Sequence, residues 1–202
     1  MNRRKFLKAG LAGSALPLLA GLSGHSLSAA LSGWADGDIS LVVSDARFSQ
    51  ARRFAAEAER AGLHSHAIDG DITRLWRDHL LPGWRRQPGP LAGMTARQPL
   101  FCLEQLARDH GLRVVFRAEH EPQADGSVRH RLSAPASHLR TLDELLDGQP
   151  DWSERLARYS NTCSWGLAAG PCGQASVHSA AVAGEPMQEP LISWVMAPIR
   201  RT

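Results

Sequence analysis

Apolar runs and amphipathic segments alternate along the first part of the chain. A continuous apolar run is typical of a buried strand, and apolar side chains three or four residues apart are typical of one helix face. Gly62 and Gly111 follow two of the helical patterns, in the position of a glycine that ends a helix. The pattern predicts a strand over 39–44, a helix over 47–61, a strand over 64–68, a helix over 72–81, a loop over 83–94, a helix over 97–110 and a strand over 113–118.

The pattern changes after residue 118. Residues 128–133 alternate between apolar and polar side chains, which predicts an outer strand in a hairpin with the preceding strand. The remaining elements predicted are helices over 141–146 and 151–159, a loop over 160–177 and a final strand over 191–196. We therefore expect one three-layer α/β domain over 31–202, with a mostly parallel short sheet flanked by helices. Residues 39–118 would be its βαβ-type core and residues 119–202 a C-terminal α+β extension.

Polar residues follow the ends of the strands predicted to be parallel. Asp45 and Arg47 come after the first strand, Asp71 and Thr73 come after the second, and Thr95 opens the third helix. Open α/β sheets bind ligands outside the carboxyl ends of their strands, and a helix N-terminus attracts anions. These five residues therefore predict a ligand-binding crevice. The alternative interpretation is that Asp45, Asp71 and Thr95 only cap the helices that follow them.

Several familiar catalytic and cofactor motifs are absent from the sequence. It has no glycine-rich dinucleotide fingerprint after the first strand, no lysine-containing phosphate loop and no Gly-x-Ser-x-Gly nucleophile elbow. It also has no Cys-x-x-Cys-His haem attachment and no His-Glu-x-x-His zinc motif. The sequence therefore does not identify a cofactor, and it leaves open whether the protein is an enzyme.

The positive net charge of +3 is concentrated at the N-terminus. The first thirty residues contain four of the 23 basic residues and no acidic residue, which leaves 19 basic against 20 acidic residues in the remainder. A nucleic-acid-binding domain usually carries a basic surface of its own. The charge distribution therefore argues against a nucleic-acid partner.

The N-terminal segment resembles the twin-arginine signal peptide. From Asn2 to Lys8 the chain reads Asn-Arg-Arg-Lys-Phe-Leu-Lys, which matches that motif at six of seven positions, with Asn2 in place of Ser or Thr. A moderately apolar stretch from Ala9 to Leu22 follows, and Ser28 and Ala30 have the spacing of a signal-peptidase site. The resemblance implies a signal peptide over 1–30, export of a folded protein to the periplasm, and no stable membrane span after cleavage. The alternative is that the leader stays as an anchor.

The cysteines and two histidines offer further chemistry. Cys163 and Cys172 flank a segment that could turn back on itself, so they are candidates for a disulfide, which the periplasm permits. Cys102 lies in a predicted helix, where a small buried thiol is the usual role. His64 and His66 would point to one face of a strand and could hold a metal ion, although two histidines on a strand usually just belong to an exposed face.

Three hypotheses about function remain. The first is an exported accessory or ligand-binding protein, whose partner is a larger exported redox enzyme or a small molecule. The second is a periplasmic enzyme of an unrecognised class that uses the predicted crevice. The third is a metal-binding protein that uses the histidines of the second strand.

Overall fold

The structure of this protein is a computed structural model. The residues that it describes are 39–162, 165, 172–181, 187 and 189–198. The predicted signal peptide over 1–30 lies outside these residues, so its export role stays a prediction. Within the described part of the chain, no helix combines the length and the hydropathy needed to cross a bilayer.

The helices and strands of the first half follow the predicted order, with one additional strand before the third helix. In chain order the elements are β1 (Leu41–Asp45), α1 (Ser49–Arg60), β2 (Ser65–Ile68), a π-helix (Leu75–Leu80) that continues as α2 (Leu81–Trp84), β3 (Leu91–Thr95), α3 (Arg97–Asp109), β4 (Leu112–Pro122), β5 (Val128–Pro135), α4 (Ala136–Leu146), α5 (Trp152–Thr162), β6 (Cys172–Ser179) and β7 (Leu191–Pro198).

The seven strands within the described residues form one mixed sheet in the order β2-β1-β3-β7-β4-β5-β6. The α/β class is confirmed, but the prediction of a mostly parallel sheet is wrong. Only the pairs of β1 with β2 and with β3 are parallel, whereas the other four pairs are antiparallel. The reason is the position of β7, which runs back between β3 and β4 instead of extending one edge.

Two strands lie where the sequence predicts loops. β3 falls in the glycine- and proline-rich stretch over 83–94, and β6 falls in the predicted loop over 160–177. Gly93 is needed inside β3, because a Cβ atom there would lie 2.5 Å from Cζ2 of Trp194 and 2.6 Å from the carbonyl oxygen of Val43. Close packing therefore requires glycine at this position, although glycine is disfavoured in strands by its local propensity.

Helices cover both faces of the sheet. On one face, α1 buries Ala51, Phe54 and Ala58, whose spacing forms a single helical stripe, and α5 adds Trp152 and Leu156. The helix α4 packs on the same face against β5 and β6. The π-helix, α2 and α3 form the opposite layer. The three-layer arrangement therefore agrees with the prediction.

Two stretches have the capping-box pattern that predicts a helix start, Thr95–Gln98 and Thr141–Glu144, but neither box forms. The helix α3 begins after Ala96 without a side-chain cap, because the hydroxyl of Thr95 donates to the carbonyl of Ala96 instead. The helix α4 begins at Ala136, five residues before Thr141, so the second box lies inside the helix. Tertiary packing decides these helix starts, rather than the local capping pattern.

Candidate functional site

The candidate site lies where the direction of strand addition reverses. The strand β1 has β2 on one side and β3 on the other, and both pairs are parallel. The helix α1, between β1 and β2, covers one face of the sheet, and the helices between β2 and β3 cover the other. This is the topological switch point of an open α/β sheet, outside whose carboxyl ends such folds place their ligands.

A buried ion pair stands beside the crevice at the end of β1, on either side of Ala46, which is one of the residues that line the crevice. The side chain of Asp45 is fully buried, and its two oxygens accept hydrogen bonds from Nε and Nη2 of Arg47 at 2.8 and 2.7 Å. The side chain of Arg47 keeps 47% of its surface exposed. Gly70, at φ 94°, allows this approach, because a Cβ atom there would lie 2.8 Å from Cζ of Arg47. The predicted residues Asp45 and Arg47 are thus brought together as a fixed pair, not as a helix cap.

The turn after β2 supplies the adjoining wall. Oδ1 of Asp71 accepts hydrogen bonds from the backbone N–H and the hydroxyl of Thr73, at 2.8 and 2.7 Å. The side-chain bond from Thr73 is the main reason why the pKa of Asp71 lies below its ordinary value. Asp71 and Thr73 therefore pair as a turn cap, as the alternative interpretation expects, while Asp71 also borders the crevice.

The crevice has a volume of about 440 Å³ and carries more acidic than free basic groups. The hydrogen bond to Asp45 raises the pKa of Arg47, and the charges of Glu189 and Asp69 raise it further. Glu189, which precedes β7, has no local sequence signal that ties it to this edge. The residues that line the crevice are Ala46, His66, Ala67, Ile68, Asp69, Asp71 and Arg74.

Thr95 occupies a different position from the other predicted site residues. It is fully buried, its hydroxyl accepts a hydrogen bond from Nε1 of Trp194 at 3.1 Å, and it donates to the carbonyl of Ala96 at 3.0 Å. Both hydrogen-bonding roles of the hydroxyl are therefore filled inside the protein. Thr95 orients the indole of Trp194, and it does not line the crevice as described above.

The ring of His66 in β2 contacts the ring of His79 in the π-helix. The rings of His66 and His79 lie 4.7 Å apart between centroids at an angle of 60°. Partial burial lowers the pKa of His66, and the charge of His79 lowers it further. His64 is exposed and lies just before β2. Among the described residues, no group of three or more His, Cys, Asp or Glu side chains is arranged to hold a metal ion.

A second pair of histidines is buried between β4 and β5, and the sequence analysis did not predict it. Nδ1 of His120 lies 2.6 Å from Nδ1 of His130, and the ring of Trp152 covers both at 4.4 and 5.0 Å between centroids. Nε2 of His120 contacts the hydroxyl of Ser193 at 2.9 Å, and Nε2 of His130 contacts that of Ser179 at 2.7 Å.

The donors and acceptors of this network have one consistent order for neutral rings. Ser179 donates to the carbonyl of Leu146 at 2.7 Å, so its oxygen accepts from Nε2–H of His130. Nδ1 of His130 then accepts from Nδ1–H of His120, whose Nε2 accepts from Ser193. Burial lowers the pKa of His130 to about 3 and that of His120 well below its ordinary value. Both rings are therefore neutral at neutral pH.

Arginine and glutamate side chains cover the open face of β4 and β5. Directly across the strands, Glu119 faces Arg131 and Glu121 faces Arg129. Nη2 of Arg131 lies 2.6 Å from a carboxylate oxygen of Glu119, and Arg129 pairs with Glu121. Neutralised cross-strand pairs are typical of a solvated strand face. We therefore place the candidate site at the switch point.

Cys172 begins β6 and is an exposed free thiol. Its predicted partner, Cys163, lies outside the described residues, and no disulfide is seen in the part of the chain that the structure describes. Cys102 is a half-buried free thiol in α3 that packs against the core formed with Trp194, as expected for a small hydrophobic residue.

No known protein family, curated protein or solved structure matches this chain significantly. Function must therefore be argued from the geometry of the site.

Proposed function

We propose that this protein is an exported binding protein that holds a small polar ligand in the switch-point crevice. The observation that carries the proposal is the buried carboxylate of Asp45, which fixes Arg47 over Gly70 at the carboxyl edge of β1 and β2. A charged side chain held in one orientation at such an edge is suited to orienting a ligand.

The charges of the crevice favour a ligand rich in hydrogen-bond donors. Arg47, next to the lining, is already neutralised by its buried partner, and the lining itself holds Arg74 beside the carboxylates of Asp69 and Asp71. Glu189 adds negative charge nearby. Ionised carboxylates only accept hydrogen bonds. A molecule with an amine or several hydroxyl groups therefore fits this crevice better than a phosphate does.

Native mass spectrometry of the protein isolated from the periplasm of its host tests the ligand. We expect an added mass of a small molecule on the wild type, and its loss on D69N, because the variant removes a lining charge from an exposed position. The matched control is D125N, since Asp125 is likewise an exposed aspartate but lies on the β4–β5 hairpin, outside the lining of the crevice.

Either of two results would contradict the binding proposal. One is a protein that carries no added mass, and the other is a ligand that D69N and D125N retain equally. Co-isolation of a larger enzyme in place of the small molecule would replace the proposal with an accessory role. The acidic crevice would then belong to the interface with that enzyme.

The export component of the proposal has a separate test. A twin-arginine leader depends on its two arginines, so the double substitution of Arg3 and Arg4 by lysine is expected to leave the protein in the cytoplasm. The wild type is expected in the periplasm with Leu31 as its first residue, measured by fractionation and intact mass. A periplasmic double variant would exclude the twin-arginine route.

A further inference from the structure

Two histidines from different elements meet beside the crevice, in an arrangement suited to a metal ion. We infer that His66 and His79 form a two-histidine site for a divalent transition-metal ion, with Cu²⁺ bound more tightly than Ni²⁺ or Zn²⁺. The site would share His66 with the lining of the proposed ligand crevice, but the inference does not rest on that crevice being occupied.

The two imidazole rings lie in contact with each other. Their centroids are 4.7 Å apart, and the 60° angle between the planes keeps the rings from stacking face to face. His66 is half-buried on the edge strand β2, and His79 is exposed. A hydrated ion can therefore reach the pair from solvent, while one ring stays anchored in the sheet.

The π-helix accounts for the position of His79. The N–H of Leu81 donates to the carbonyl of Trp76, five residues earlier, so the turn that contains His79 is wider than an α-helical turn. This widening changes which side chains face β2, and short π-helical turns are frequent at functional sites.

The chemistry of the two rings favours a borderline-soft metal. A neutral imidazole is the usual ligand of Cu²⁺, Ni²⁺ and Zn²⁺. No third protein ligand stands in position among the described residues, so water would complete the coordination. The order of affinity should follow the general series, in which Cu²⁺ exceeds Ni²⁺ and Zn²⁺.

Titration of the purified protein with Cu²⁺ tests the inference after its accessible thiols, such as Cys172, have been alkylated. We expect one Cu²⁺ per chain, with electron paramagnetic resonance hyperfine structure from two imidazole nitrogens. Because even outer-shell partners are worth about tenfold in metal affinity, H66A and H79A should each weaken binding at least about tenfold. Cu²⁺ should also raise the melting temperature of the wild type, because it ties β2 to the π-helix.

The matched control is H64A, which removes an exposed imidazole two residues away in the chain, just before β2. This variant should bind Cu²⁺ like the wild type and show the same melting shift. Circular dichroism would establish that all three variants are folded. The inference is overturned if H66A and H79A bind Cu²⁺ as the wild type does, if H64A loses binding to the same extent, or if no stoichiometric site exists.

Discussion

The buried pair of His120 and His130 should make the folded protein sensitive to mild acid. In the unfolded chain each imidazole titrates near a pKa of about 6.5. In the folded protein burial lowers the pKa of His130 to about 3 and that of His120 well below its ordinary value. As the pH falls below neutral, the unfolded state therefore binds protons that the folded state does not bind. Stability is full above the unfolded pKa and is lost toward lower pH.

The size of the loss follows from linkage. Lowering the pH from 7 to 5 stabilises an unfolded histidine with a pKa of 6.5 by about 1.9 kcal/mol, while a ring that stays neutral gains nothing. The two buried rings together should reduce the free energy of unfolding by about 4 kcal/mol over this range. His66 and His138, whose pKa values are also lowered by burial, act in the same direction. Such a loss is a large part of the stability of a typical domain.

Urea unfolding followed by tryptophan fluorescence measures this effect at pH 7, 6 and 5. The indole of Trp152 lies against both rings, so its emission reports on their surroundings. Proton NMR of the histidine rings provides the direct control, because the resonances of His120 and His130 should not titrate between pH 7.5 and 5. A loss below about 1 kcal/mol, or a buried ring that titrates near 6.5, would refute the reasoning.

Three further predictions concern stability in urea at pH 7. G93A should lower the free energy of unfolding by about 2 kcal/mol by overpacking. G83A, where a Cβ atom would meet open space, should not lower it, and equal losses in the two variants would contradict the close approach in β3. S179A should lower the free energy of unfolding by about 2 kcal/mol, because it leaves a buried imidazole N–H and a carbonyl unpaired. Its control is S176A, at an exposed position on the same strand. R47M should lower the free energy of unfolding by at least about 2 kcal/mol, because the buried carboxylate of Asp45 would lose its counter-charge. An unchanged free energy of unfolding would refute the ion pair as a fixed feature.

Local periodicity predicted the elements whose residues have one consistent environment. The helix α1 shows the expected stripe of Ala51, Phe54 and Ala58, and β1 and the β4–β5 hairpin were also expected from their patterns. The strand β3 was missed because Gly93 is selected by a contact with Trp194, about a hundred positions away in the chain. A contact of that kind leaves no trace in the local pattern of apolar residues.

The buried histidines did have a sequence signal. In β4 the buried residues Phe116, Ala118 and His120 alternate with polar ones. In β5 the buried residues His130 and Leu132 lie on one face in the same way. This places both histidines on the buried face of the predicted hairpin. What the alternation cannot supply is the set of hydroxyl and carbonyl partners, which come from β6, β7 and the end of α4.

The sequence by itself determined the α/β class, most of the elements and the polar residues at the ends of β1 and β2, because these depend on neighbouring residues in the chain. The tertiary structure decided where β7 enters the sheet, which made the sheet mixed. It also decided that Asp45 binds Arg47 and that His66 meets His79 rather than acting with His64. These outcomes depend on distances between separate elements, which are set by the packing of the whole core and not by any local pattern.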